Sequence, residues 1–249
     1  MLLPVKLVSA VAAVAVLAAV AAASALGYYE IYHRTATISW EMAPFCTSNE
    51  SGPNCIYKWL KQHRLEIVRQ AKKRRISRLA IGGVIAFESL EDVDPPEVAP
   101  LSRYSGPGKV HYKNWRLWEG EPVAKAVEDR GYLPKETMTA RRRILATPRG
   151  AILYIATILQ AYKNIAQMHG YLIGCRPDIL ATFYSAWDFG GERQLLTRRP
   201  KRLISNDIGS WILTERTFLV NALGEPDAEC RSSTKPPERR ANRASRAAL

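Results

Sequence analysis

Glu88 is the side chain in this sequence that is best placed for acid–base chemistry. It follows the apolar run LAIGGVIAF at residues 79–87, four positions after Val84 and seven after Ile81. A helix through this run holds the carboxyl group beside the apolar face, because residues at these spacings share a face. Partial burial raises a carboxyl pKa, which suits a general acid near neutral pH. The alternative is a helix-terminal Glu with its head in solvent.

Other side chains offer partners for Glu88 or alternatives to it. His111 alternates with Val110 and Tyr112 in a short strand-like pattern, so it is either a ligand in a sugar cleft or a surface residue. Trp115 and Trp118 either stack on sugar rings or pack in the core. A hydrolytic mechanism would use a second carboxylate, although a solvated acidic turn is the simpler interpretation of three of the four candidates. These candidates are Glu91, Asp92, Asp94 and Asp188.

Three features, taken in order along the chain, resemble the lytic transglycosylases and their lysozyme-like relatives. Those enzymes have an apolar helix that ends in a catalytic Glu followed by Ser, and residues 87–89 here read FES. They continue with a loop of the form S-x-G-x-x-Q, and residues 105–111 read SGPGKVH. An amphipathic helix then precedes a helix that ends A-x-Y-N-x-G, to which residues 151–168 and ATFYSAW at residues 181–187 are similar. The resemblance spans residues 64–190.

The resemblance implies a mainly α, lysozyme-like domain with a short irregular or β segment and a single catalytic carboxylate. It assigns Glu88 the protonation of the glycosidic oxygen between N-acetylmuramic acid and N-acetylglucosamine, followed by a role as base. The muramic 6-hydroxyl then attacks and leaves a 1,6-anhydro end. Tyr184, which matches the family tyrosine, would orient Glu88 or the substrate acetamide. The implied substrate-binding residues are Ser105, Gly106, His111, Tyr184 and Ser185.

The chain departs from the family pattern at two positions. The glutamine of the family loop is missing, with Lys109 or His111 nearby, and the asparagine after the tyrosine is Ser185. A catalytically inactive envelope protein that binds glycan or has a structural role is therefore the alternative to an enzyme. A basic membrane-proximal protein unrelated to lysozyme is a third hypothesis.

An apolar N-terminal segment predicts export from the cytoplasm. Residues 7–27 carry no charge, and about 20 such residues span the ~30 Å of bilayer hydrocarbon as a helix. Ala23, Ser24 and Ala25 suit a signal peptidase cleavage site. We expect residues 1–27 to be a membrane anchor or a cleaved signal peptide, and the rest of the chain to be periplasmic.

The cysteines predict disulfide bonds, because an exported chain with an even number of cysteines favours them. The chain has four, and Cys46 and Cys55 are close enough in sequence to close a small loop. Cys175 with Cys230 is then the natural second pair. A zinc site is the alternative, but the sequence has no C-x-x-C and no paired His. We expect no metal and no cofactor.

The net charge of +13 indicates a polyanionic neighbour, unless the basic runs are solvated helix faces. An exported chain seldom meets nucleic acid, and no interleaved basic and aromatic binding motif is present. Peptidoglycan and the inner-membrane lipid surface are the expected partners.

The pattern of elements divides the chain after residue 27 into three parts. These are an N-terminal extension with a Cys pair at residues 28–60, a lysozyme-like domain at residues 61–230 and a disordered basic tail at residues 231–249. Apolar spacing predicts a basic helix running into a buried one, then shorter helices, a long amphipathic helix and two further helices. A loop or short hairpin separates the buried helix from the shorter helices. In order, the segments are residues 63–87, 93–114, 120–146, 150–168, 179–186 and 209–222.

Overall fold

The protein is mainly helical in the part that the computed structural model describes, which is residues 46, 51–90, 104–105, 107–111, 121–185, 198 and 200–225. These residues form nine α-helices and one pair of two-residue strands. In chain order the elements are α1 (Gly52–Gln62), α2 (Arg64–Arg74), α3 (Arg78–Leu90), β1 (Tyr104–Ser105), β2 (Val110–His111), α4 (Val123–Asp129), α5 (Met138–Leu145), α6 (Pro148–Met168), α7 (Pro177–Tyr184), α8 (Asp207–Thr214) and α9 (Arg216–Leu223).

Helix α1 crosses the expected boundary at residue 60 and contributes to the core. Ile56 and Leu60 are fully buried. The predicted disulfide between Cys46 and Cys55 is confirmed, with the two Cα atoms 5.5 Å apart. It ties residue 46 to the first turns of α1. Cys175 is also disulfide-bonded, but Cys230 lies outside the described residues, so their pairing stays a prediction.

The predicted basic helix running into a buried one is confirmed as α2 followed by α3. Helix α2 ends in a Schellman motif, in which the Arg75 amide bonds to the Lys72 carbonyl and the Ile76 amide to the Ala71 carbonyl. Helix α3 is apolar around most of its circumference and is therefore enclosed by other helices. The neighbouring helices are α1, α2, α6, α7, α8 and α9.

The long amphipathic helix is confirmed as α6, which begins with Pro148 in its first turn. The Thr147 hydroxyl accepts a hydrogen bond from the Gly150 amide at 3.0 Å and caps the helix. Helices α2, α3, α4, α5 and α7 and strand β2 all pack against α6. Tyr154 and Tyr162 are among its fully buried side chains. Helices α3 and α6 thus form the centre of the core.

The expected single helix over residues 209–222 is wrong, because the structure has two helices that separate at Glu215. Each of them approaches a glycine of α3. A β-carbon at Gly82 would collide with Leu223 of α9, and one at Gly83 would lie 2.5 Å from Ile212 of α8. The two α3 glycines therefore permit close packing of both C-terminal helices.

Among the described residues, no single helix has both the length and the apolar composition to cross a membrane; α5 and α6 satisfy the two criteria only as a pair bent by 106°. The N-terminal segment at residues 7–27 and the basic tail at residues 231–249 lie outside the described residues. Their expected roles, and the division into extension, domain and tail, stay predictions.

Candidate functional site

A hydrogen bond joins two of the segments that the sequence singled out. The Tyr184 hydroxyl, at the end of α7, donates to the carbonyl of Gly108 at 2.7 Å. Tyr184 is 7% exposed, so this bond lies in the interior and not on the surface. Buried backbone carbonyls need a partner, and here the partner comes from a helix 76 residues further along the chain. The loop between β1 and β2 is therefore fastened to the end of α7.

The same loop rests on helices α3 and α6. A β-carbon at Gly108 would lie 3.5 Å from Cγ1 of Ile85 on α3 and 2.6 Å from Cδ1 of Ile155 on α6. Gly108 has φ +82, a conformation that favours glycine. Both the close approach and the backbone conformation thus require a glycine here.

Glu88 lies in the last turn of α3 and is half-buried. It follows Ile85 by three residues, so it shares the helix face that meets the loop. The next residue, Ser89, is buried and its hydroxyl donates to the Ile85 carbonyl at 2.6 Å. The Ser89 hydroxyl therefore bonds within α3, while Glu88 stands half-buried in the last turn of that helix.

Lys109 is a buried cation in the loop, only 4% exposed. Its backbone has φ 45, so two successive loop residues, Gly108 and Lys109, have positive φ. Ser105 pairs with Val110 and Tyr104 with His111 across the two short antiparallel strands. For residues 93–114 the sequence left a loop or a short hairpin open, and the described residues 104–105 and 107–111 form a short hairpin. The backbones of Ser105 and His111 flank the loop that Tyr184 holds.

Ser185 uses its hydroxyl to connect two helices. It donates to the Thr182 carbonyl at 2.9 Å and accepts from Nδ2 of Asn206 at 2.6 Å. Asn206 in turn caps α8, because its Oδ1 accepts from the Gly209 amide at 3.2 Å. Ser185 thus follows Tyr184 directly but has a structural role between α7 and α8. Its predicted contact with substrate stays a prediction.

Several residues named from the sequence lie outside the described part of the chain, so their roles stay predictions. They are Gly106, Glu91, Asp92, Asp94, Trp115, Trp118 and Asp188.

Glu128 and Arg141 form a buried ion pair that the sequence did not reveal. The side chains are 1% and 5% exposed, and Nε and Nη2 of Arg141 each lie 2.6 Å from a carboxylate oxygen. The Tyr154 hydroxyl donates to the same carboxylate at 2.7 Å and the Glu136 amide at 3.0 Å. The nearest sequence signal was the position of Glu128 four residues after Ala124, on the buried face of α4.

Its partners hold Glu128 ionised. Burial alone raises the pKa of this carboxyl, but the hydrogen bonds from Arg141, Tyr154 and the Glu136 amide outweigh burial and leave the pKa below its usual range. Burial and the bond to Glu128 raise the pKa of Tyr154 far above its usual value. A carboxylate with four donors has no free position for substrate, so this network fixes α4, α5 and α6 and is not a second acid–base group.

Asp178 is a second buried carboxylate whose oxygens are occupied. Arg176 binds it through two nitrogens at 3.0 and 2.7 Å, and the Ser205 hydroxyl donates at 2.9 Å. These bonds stabilise the start of α7 against the segment before α8. Within the described ranges, no group of three or more His, Cys, Asp or Glu residues could hold a metal ion.

The site thus consists of the end of α3 with Glu88, the loop between β1 and β2, and the end of α7 with Tyr184. Glu88 is the one carboxylate of these three segments that the structure describes. Comparison of the chain with family models, with curated proteins and with solved structures finds no match.

Proposed function

We propose that the chain is a lysozyme-like, periplasmic enzyme that cleaves the glycan strands of peptidoglycan with Glu88 as its single catalytic carboxylate. One observation carries the proposal. Gly108 accepts a hydrogen bond from Tyr184, and a β-carbon at Gly108 would lie 3.5 Å from Ile85, one turn before Glu88. Three segments that are separate in sequence, and that resemble the family in their order, thus meet at Gly108, and half-buried Glu88 follows one helical turn along α3.

The chemistry needs one group that first donates and then accepts a proton. Protonated Glu88 gives its proton to the glycosidic oxygen as the bond from that oxygen to C1 of N-acetylmuramic acid breaks. The substrate's own N-acetyl group stabilises the positive charge at C1. The muramic 6-hydroxyl oxygen then bonds to C1 and returns its proton to Glu88, which leaves a 1,6-anhydro end and the original carboxylic acid.

The other residues of the site bind and orient. Tyr184 fixes the loop through the Gly108 carbonyl, which makes it a positioning residue for the wall of the cleft. Ser105, Gly106 and His111 belong to or flank this loop and would contact the sugar. Basic helix faces and an N-terminal membrane segment suit a protein that works between the inner membrane and the anionic wall.

A second candidate function is glycan binding without cleavage, by an envelope protein that keeps the cleft. Two observations favour it. Ser185 replaces the family asparagine and its hydroxyl is engaged by Thr182 and Asn206. Lys109, near the place of the family glutamine, is buried. Both positions that depart from the family pattern are thus used by the fold.

The test is release of soluble muropeptides from purified sacculi by the full-length chain in detergent, with products identified by mass. The wild type should release 1,6-anhydro products, and Glu88→Gln should release at least a hundred-fold less, a loss on the order of that for a general acid. Glu225→Gln changes an exposed carboxylate at the end of α9 and is the matched control, which should keep full activity.

Full activity in a folded Glu88→Gln protein would contradict the assignment of Glu88. Binding of the wild type to sacculi with no released product would favour the second candidate. If the wild type neither binds sacculi nor releases product, the third hypothesis remains, which is a basic, membrane-proximal protein without a glycan site.

A further inference from the structure

A cavity of about 240 Å³ opens at the other end of α3 from Glu88. It lies between the end of α2, the last turns of α6 and the segment that connects α6 to α7. Arg75 and Lys163 line it together with Gln167, and none of the lining residues is acidic. A cavity with two cations and no carboxylate has the charge of an anion site.

The two cations have no anion to balance them within the described part of the chain. Nζ of Lys163 donates one hydrogen bond, to the Arg74 carbonyl at 2.7 Å, and Arg75 has no ion pair there. Burial lowers the pKa of Lys163, and the neighbouring charge of Arg75 lowers it further. A half-buried ammonium beside a guanidinium is costly to hold charged, and a bound anion would offset that cost.

Arg75 occupies a backbone position that normally suits glycine. It is the left-handed residue of the Schellman motif that ends α2, with φ 53, where glycine is the usual choice. A cation at this position would also interact favourably with the negative C-terminal end of the helix dipole. Lys72, Lys73 and Arg74, however, already supply cations in the last turn. Neither the backbone conformation nor the helix dipole therefore accounts for an arginine at this position.

Two large apolar side chains stand in solvent in the segment from the end of α6 to the cavity. Leu172 lines the cavity and is 84% exposed, and Met168, at the end of α6, is 74% exposed. They are four residues apart, on either side of the Gly170 turn, in which the Tyr171 amide bonds back to the Ala166 carbonyl at 2.9 Å. Exposed apolar groups adjoining cations are the pattern of surfaces that bind the membrane interface.

We infer that this surface binds an anionic phospholipid headgroup, with the lipid phosphate between Arg75 and Lys163 and with Met168 and Leu172 at the edge of the acyl region. The apolar segment predicted at residues 7–27 would bring the surface to a bilayer. The inference does not depend on catalysis by Glu88.

The surface is separate from the candidate site. The Ser77 amide, just before α3, donates to the Gly174 carbonyl beside the cavity at 2.8 Å. Glu88 lies in the last turn of α3, and the rise of an α-helix separates it from Ser77 by roughly 16 Å along the helix axis. The cavity and Glu88 thus lie toward opposite ends of α3.

Hydrogen exchange of the full-length chain in vesicles tests the inference. The chain is reconstituted in phosphatidylcholine alone and in phosphatidylcholine mixed with phosphatidylglycerol. Exchange of the backbone amides in residues 169–175 should be about ten-fold slower in the mixed vesicles, and high salt should reduce the difference. Equal exchange in the two vesicle types would overturn the inference.

Matched variants separate the contribution of the cations to lipid binding from that of the exposed apolar side chains. Arg75→Asn removes the charge while asparagine tolerates the left-handed backbone, so the protein should fold and lose the slowing. Arg143→Gln, which removes an exposed cation near the opposite end of α6, should keep it. Leu172→Ser should weaken the slowing, whereas Leu65→Ser, at an equally exposed leucine of α2, should not. Slowing that survives in both Arg75→Asn and Leu172→Ser would contradict the inference.

Two additions to the phosphatidylcholine vesicles identify other occupants. If inorganic phosphate alone slows exchange as much as phosphatidylglycerol does, the site binds free phosphate and the lipid assignment is wrong. If soluble muropeptides do so, the site binds peptide carboxylates and the lipid assignment is again wrong. Neither addition should change the exchange of residues 169–175.

Discussion

The Tyr184 hydroxyl and the Gly108 carbonyl, 2.7 Å apart, connect the end of α7 to the hairpin loop between β1 and β2. Tyr184 is the residue that the resemblance matched to the family tyrosine. Its hydroxyl donates to a backbone carbonyl of the loop. The structure thus shows Tyr184 holding the loop, and its orientation of Glu88 or of the substrate acetamide stays a prediction.

Tyr184→Phe should lower the free energy of unfolding by about 1 kcal/mol, because it leaves the buried Gly108 carbonyl without its donor. If Glu88 is catalytic, muropeptide release should also fall, since the loop is no longer held at α7. Urea denaturation and the sacculus assay measure the two effects. Tyr57→Phe is the control, because the Tyr57 hydroxyl makes only a 3.5 Å contact at the surface. Equal stability in the two variants would argue against the buried bond.

Gly108→Ala should destabilise the protein by about 3 kcal/mol, because it combines a left-handed backbone with a collision against Ile155. Gly131→Ala separates the two causes. Gly131 has φ +74, but a β-carbon there would meet nothing within 4 Å, so its cost should be about 1 kcal/mol. Thermal or urea denaturation of both variants gives the comparison. A Gly108→Ala variant no less stable than Gly131→Ala would show that the loop does not pack tightly on α6.

The central helices could be predicted because their sequences are unambiguous. Residues 79–87 are apolar throughout, which indicates a helix enclosed on all sides, and residues 150–168 have one continuous apolar face. The break at Glu215 could not be predicted in this way. Four large buried residues on the two sides of the break, Ile208, Ile212, Leu219 and Leu223, keep a helical spacing across it. One helix and two helices therefore give the same pattern.

The features that depend on contacts between residues far apart in the chain could not be predicted from the sequence. Glu128 and Arg141 are 13 residues apart, and nothing in their spacing shows that both charges are buried together. The cavity at Arg75 and Lys163 combines three segments, so no local motif marks it. Gly108 was visible only as part of a Gly-Pro-Gly turn, because its bond to Tyr184 depends on how α7 packs.

Glu128→Gln should lower the free energy of unfolding by about 3 kcal/mol, because it leaves the buried guanidinium of Arg141 without its counter-charge. Chemical denaturation near neutral pH measures the loss. Glu121→Gln removes a carboxylate of the same type from the exposed pair with Lys125 and should have a far smaller effect. Similar losses in the two variants would show that the Glu128 network is not effectively buried.

Acid should destabilise the protein through Glu128 and Asp178 in particular. Burial alone raises the pKa of Asp178, but the bonds from Arg176 and Ser205 outweigh it, so its pKa, like that of Glu128, lies below the usual range. The unfolded chain, with ordinary carboxyl pKa values near ~4, then binds more protons than the folded protein. The stabilisation of the folded protein by these two ionised carboxylates is complete above the unfolded pKa. It is lost as the pH falls through the lowered pKa values of the folded protein.

Urea denaturation at a series of pH values from neutral downward tests this dependence on the two carboxylates. Glu128→Gln and Asp178→Asn should each be less stable than the wild type at neutral pH, yet lose less stability on acidification, because each variant lacks one carboxyl whose pKa differs between the folded and unfolded states. The curves of unfolding free energy against pH for wild type and variant should therefore converge in acid. Parallel curves would mean that these carboxyls have the same pKa in the folded and unfolded states, and that their hydrogen bonds do not favour the charged form.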